Sequence, residues 1–183
     1  MLARIAEFFR AKTEQRPAET ALDLDLDYVR HIAQTDEPLL QRYGRISDFL
    51  DPNTQVPPLA YHAARITAAF ATDCSICLSA EINLARKAGI PQEQITQILN
   101  FDDEALPFEI SAVIYLARAV IAENSDNPEA RDYIRQIYGE AGLIELSYAM
   151  GGAAMLPTIR RVMGFGEEGE QGDFGGLELG EGF

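Results

Sequence analysis

The stretch "LAYHAARITAAFATDCSICLSAEINLARKAGIPQEQITQIL", residues 59–99, decides the fold. Its first part is rich in small residues and carries apolar residues at helical spacing. Thr72 or Asp73 can cap a second helix, which runs to about Ala88 and stops at Gly89. Pro91 then opens "PQEQITQILN", with proline at a first helical turn. Helix, tight turn, helix, turn, helix is the pattern, and a hairpin around Thr72–Asp73 is its first consequence.

The same period continues outward in both directions. Upstream, "DPNTQVPP" (51–58) is dense in turn formers and marks an internal boundary. Before it, Leu2, Ile5, Phe8 and Phe9 form one face of a first helix, and Pro17 interrupts. Leu22, Leu24 and Leu26 alternate with aspartates, but Val29, Ile32 and Ala33 return to a helical period. Pro38 lies near the start of "LLQRYGRISDFL". Downstream come a long helix, "LPFEISAVIYLARAVIAEN", a shorter one, "NPEARDYIRQIYG", and a final one, "LIELSYAMGGAAMLPTIRRVMG", which Pro157 is expected to kink. No strand pair and no repeat stand out, so the fold class is all-α.

The chain of 183 residues suits one domain with a substantial core. Its net charge of −14 argues against nucleic acid and anionic membrane surfaces, since nothing offsets phosphate repulsion. No stretch is long and apolar enough to span a bilayer, and the amphipathic start lacks a secretory pattern. Both observations predict a cytoplasmic protein. The last residues, "EEGEQGDFGGLELGEGF", are acidic and glycine-rich and read as a flexible, disordered tail.

Asp23, Asp25 and Asp27 mimic the start of a calcium loop, but Tyr28 and Gln34 stand where glycine and the bidentate glutamate belong. Acids near a helix N-terminus, favoured by its dipole, are the better account. Consecutive glycines in "MGGAAM" (150–155) disfavour a helix unless close helix–helix approach offsets them. One CxxC without a second pair is weak support for zinc, and no metal or cofactor is expected.

Cys74 and Cys77 are the only cysteines. Three apart, they share a helix face, and Glu81 continues that stripe. A helix start favours thiolate and leaves the two sulfurs within bonding reach. A working dithiol is favoured over two small apolar residues on a buried face. His62, about ten residues before the turn, and Glu81, about eight after it, lie ~15 and ~12 Å from it at the helical rise. If the faces meet, a carboxylate would raise and orient the imidazole as a proton relay beside Cys77. The alternative, a histidine on a mixed surface paired to another acid, stands beside it.

The block from His62 to about Gly164 resembles the carboxymuconolactone decarboxylase superfamily, specifically its alkylhydroperoxidase D-like branch. The small-residue helix, "CSIC", "LSAEINLARKAGIPQEQITQIL" and "PFEISAVIYLARAVI" carry the resemblance. It implies a helical bundle over 57–165, with an N-terminal helical extension over 1–56 and a tail over 166–183. It also implies a homo-oligomer, a trimer or hexamer. Cys77 would be the peroxidatic cysteine and Cys74 the resolving one. A hydroperoxide would be the substrate, and an external thiol or disulfide carrier the reductant. The family's relay has a glutamate at the position of His62 and often a histidine at that of Glu81; its best-studied type also has a histidine at that of Ile76. The His62/Glu81 pair is thus expected with its partners exchanged across the hairpin.

The leading expectation is a thiol-dependent peroxidase and disulfide oxidoreductase using Cys74, Cys77, His62 and Glu81. A decarboxylase-like enzyme that bypasses the dithiol, with His62 as general acid or base, is the runner-up. Few clustered arginines to hold an anionic substrate weaken it. A non-enzymatic helical scaffold is the third reading.

Overall fold

The structure, a computed structural model, describes residues 27–50 and 54–166. The helix expected around Leu2–Phe9, Asp23 and Asp25 of the calcium-like run, and the acidic tail from Glu167 onward lie outside the described residues. Within them the chain is all-helical.

The elements are α1 (Asp27–Thr35), α2 (Glu37–Phe49), α3 (Pro58–Phe70), α4 (Ser75–Lys87), α5 (Gln92–Asn100), α6 (Phe108–Ala117), a π-helical turn (Arg118–Ala122) and α7 (Pro128–Val162). Local chemistry sets their starts. Asp36 caps α2, its carboxylate accepting the Leu39 N–H at 2.8 Å. Asn127 caps α7 in the same way. Asp27, left over from the acidic run, sits in the first turn of α1 and pairs with Arg30.

α3 is the axis of the fold. Every residue from Ala60 to Ala69 is buried, and α7, α6, α4 and α5 all pack on it. Ala60, Ala63, Ala64, Ala68 and Ala69 keep its cylinder thin enough for four neighbours to approach. Ile66, Ile82, Ile98, Ile114, Ile134 and Leu146 fill the space between them, each under 2% exposed. A smaller cluster of Tyr28, Val29 and Leu40 joins α1 to α2, with Met163 and Phe165 packed against it. The N-terminal helices thus meet the chain beyond α7.

Helical dihedrals continue through the buried Pro157, where a kink was expected, and the two last expected helices are separated where the first of them was read to end, at Gly139 (φ 72°, ψ 179°). Only glycine adopts that combination without strain, so it separates the two helical runs without an intervening loop. The expected long helix after Pro107 also changes form, passing from α6 into the π turn at Arg118.

The double glycine divides in role. A Cβ on Gly152 would lie 2.0 Å from Leu50 Cδ2 and 3.1 Å from its Cγ, so this glycine admits the end of α2. Gly151 faces open space. Gly151→Ala should raise stability in urea unfolding by about 1 kcal/mol, the helical cost of glycine. Gly152→Ala should lower it by about 1–3 kcal/mol, because Leu50 must leave its seat.

Candidate functional site

The turn between α3 and α4 carries the sulfur pair. Asp73 adopts a left-handed φ of 51°, which turns the chain sharply into α4. Cys74, rather than Thr72 or Asp73, is the N-cap: its Sγ accepts the Cys77 N–H at 3.3 Å. The two cysteines are disulfide-bonded with Cα atoms 5.2 Å apart. Both are half-buried, so the pair is neither sealed in hydrocarbon nor fully open. Ile76, between them, is half-buried too.

One turn further along α4, on the face of Cys77, lies Glu81, with Cβ atoms of such neighbours ~5–6 Å apart. Glu81 meets an arginine. Arg65 Nε and Nη2 each donate to one Glu81 oxygen, both at 2.6 Å. The side chains are 3% and 5% exposed, so this is a buried, bidentate ion pair. Arg65 Nη1 donates to the Tyr61 hydroxyl at 3.2 Å, and that hydroxyl donates to the Leu50 carbonyl. Burial opposes the guanidinium's charge, but Glu81 and Tyr61 together outweigh it, and the Arg65 pKa is raised. Tyr61 is raised by burial against the pull of Arg65.

The expected partner of Glu81 was His62. The structure brings them within electrostatic reach, but both carboxylate oxygens are engaged by Arg65. Heights along the hairpin give the reason. Arg65 lies ~10.5 Å from the turn, nearer to the ~12 Å of Glu81 than His62 at ~15 Å. A guanidinium also offers a planar fork that an imidazole lacks. His62 packs edge-on to Tyr61, ring centroids 5.4 Å apart, and its buried Nδ1 has no hydrogen-bond partner among the described residues. Its pKa is lowered to about 4, chiefly by burial; Glu81 raises it and Arg65 lowers it. The imidazole is therefore neutral near pH 7, where the sequence led us to expect a raised value.

Besides Tyr61 and Arg65, two further site residues were not singled out in the sequence. Glu145, on α7, is buried; its Oε2 accepts the Val56 N–H at 2.8 Å, and its Oε1 is buried without a partner. It acts electrostatically on Tyr61. Arg161, in the last turn of α7, donates through Nη2 to the carbonyls of Thr72 and Asp73, 2.6 Å in the case of Asp73. The contacts of Glu145 and Arg161 span the same sequence separation, 89 residues, so the second run of α7 lies parallel to α3 and in register with it. A buried arginine in an alanine-rich helix was the available signal for the Arg65 pair. Glu145 and Arg161 had none, because their partners are backbone groups.

Among the described residues no group of three His, Cys, Asp or Glu side chains could hold a metal ion, and no helix is long and apolar enough to cross a membrane. The arrangement offers thiol–disulfide chemistry at the turn, over a buried polar floor of Tyr61, His62, Arg65 and Glu81.

Glu81→Gln or Arg65→Met alone should destabilise the fold by about 3–5 kcal/mol in urea unfolding, each stranding a buried charge. The joint change Arg65→Met with Glu81→Leu should cost far less. His62 is more easily protonated unfolded (6.5) than folded (about 4). Its contribution is complete above pH 6.5 and is lost as pH falls from there through about 4. The shift corresponds to about 3 kcal/mol, and His62→Gln should flatten urea midpoints measured across that window.

No family model, no curated protein and no solved structure matches this chain.

Proposed function

We propose that the protein is a thiol-dependent peroxidase and disulfide oxidoreductase. The observation that supports this most is the half-buried Cys74–Cys77 disulfide at the start of α4. Beneath it lies a buried ionic network, where inert packing would need only apolar contacts.

In this reading the Cys77 thiolate attacks a hydroperoxide. The O–O bond breaks, the alcohol leaves after taking a proton, and Cys77 becomes a sulfenic acid. Cys74 displaces hydroxide from that sulfur, which takes a proton to become water, and the disulfide closes. An external thiol or disulfide carrier returns both electrons. His62, a neutral imidazole, passes a proton through its free nitrogen. Glu81 serves by holding Arg65 in place rather than by sharing a proton with His62, a change from the expected relay.

The proposal extends to membership of the alkylhydroperoxidase D-like branch, action in a reducing, cytoplasmic compartment, and a trimeric or hexameric assembly. Ile144 and Tyr148 support the assembly, since they are exposed and lie four apart on the second run of α7.

One stoichiometric hydroperoxide, mixed with reduced protein, should consume both thiols, and a dithiol reductant should restore them. Cys74→Ser should stop at a Cys77 sulfenic acid that a dimedone probe captures. Survival of both thiols, while a control peroxidase is oxidised, would overturn the proposal. Activity that persists in the Cys74→Ser, Cys77→Ser double variant would favour the decarboxylase-like reading instead.

A further inference from the structure

Arg161 sits at the mouth of the sulfur pair without belonging to its hairpin. Its Nη2 holds the carbonyls of the two residues that precede Cys74. The side chain is exposed, and its Nε and Nη1 make no hydrogen bond or ion pair with the described residues. Cys74 Sγ also accepts a backbone N–H. The two sulfurs therefore face different surroundings. Cys74 directly follows the two carbonyls held by a cation that pairs with no carboxylate of the described residues. Cys77 lies one turn above a guanidinium whose charge Glu81 already offsets.

We propose that Arg161 is a positioning residue that makes Cys74 the stabilised thiolate of the pair, and so sets the direction of sulfur exchange. This rests on the dithiol reading above. During oxidation the Cys74 thiolate attacks the sulfenic sulfur of Cys77; the S–S bond forms and hydroxide leaves. During reduction the thiolate of an external dithiol attacks Cys77 Sγ. The S–S bond breaks and its electron pair goes to Cys74 Sγ. The second thiolate of the reductant then displaces Cys77 and leaves as the reductant's disulfide. A lower leaving-group pKa at Cys74 speeds that reduction.

Other charged or titratable side chains on the elements meeting at this turn include Asp73 in the turn itself, Tyr61, His62 and Arg65 on α3, Glu81, Arg86 and Lys87 on α4, and Glu145 and Arg160 on α7. None of them changes when Arg161 is replaced, so a shift on replacement reports Arg161.

The test isolates one thiol at a time. In a Cys77→Ser background, the pH dependence of iodoacetamide alkylation gives the midpoint of Cys74. Arg161→Gln, which keeps a donor for the two carbonyls but removes the charge, should raise that midpoint by about 0.5–1 pH unit. Arg161→Lys, which keeps the charge, should leave it within about 0.3 unit of the Arg161 value. In a Cys74→Ser background, Arg161→Gln should move the Cys77 midpoint by less than half as much. Arg161→Met serves as the neutral variant if Arg161→Gln loses its helical circular dichroism. An unmoved Cys74 midpoint in the neutral variant overturns the proposal, as does a shift that lysine fails to reverse or that Cys77 shares equally. The hydroperoxide titration of the unmodified protein fails or succeeds separately, so a lost dithiol cycle and a lost Arg161 effect are distinguishable.

Discussion

A charged arginine inside an alanine-rich helix is the constraint around which this fold is arranged. Arg65 cannot be buried without a counter-charge, because the desolvation of a lone guanidinium would exceed what the surrounding packing returns. Glu81 meets it with two short hydrogen bonds across the α3–α4 hairpin. That bidentate contact admits one register between the two helices. Once it is set, Cys77 stands a turn above the pair and Cys74 is carried to the cap position, with its sulfur over the first turn of α4.

The same polar layer reaches away from the sulfur pair. Tyr61 joins Arg65 to the carbonyl of Leu50, and Glu145 takes the amide of Val56. Both flanks of the connector between α2 and α3 are therefore held by side chains of the central bundle. Gly152 allows this by letting Leu50 sit against α7. The small-residue stretch around Gly152 is one face of the same joint.

The helices were legible in the sequence because their signals are local. Proline starts, a glycine stop after α4 and a sustained helical period identify α2 to α6 nearly to their ends. The end of a helix at Gly139 was legible too, whereas Pro157 misled, since a proline buried in a well-packed helix can be carried through it with helical dihedrals. At the site, the two cysteines and the stripe running to Glu81 could be read, because they lie within one helix. The partner of Glu81 could not be read from face and height alone: His62 and Arg65 are three apart and share a face, and a difference of ~4.5 Å in height decides between them. Burial of His62 depends on all the helices around α3, so its lowered pKa was out of reach of any local argument.

The parallel course of α3 and the second run of α7 constrains how relatives of this chain can vary in length. The amide of Val56 and the carbonyl of Thr72 are anchored by Glu145 and Arg161 at one constant offset, ~24 Å apart along either helix. A residue inserted between the anchors in one helix alone would rotate everything beyond it by about 100° and detach one end. Insertions and deletions there should survive only in matched pairs, so helix lengths in the lineage are expected to covary even where the residues themselves drift.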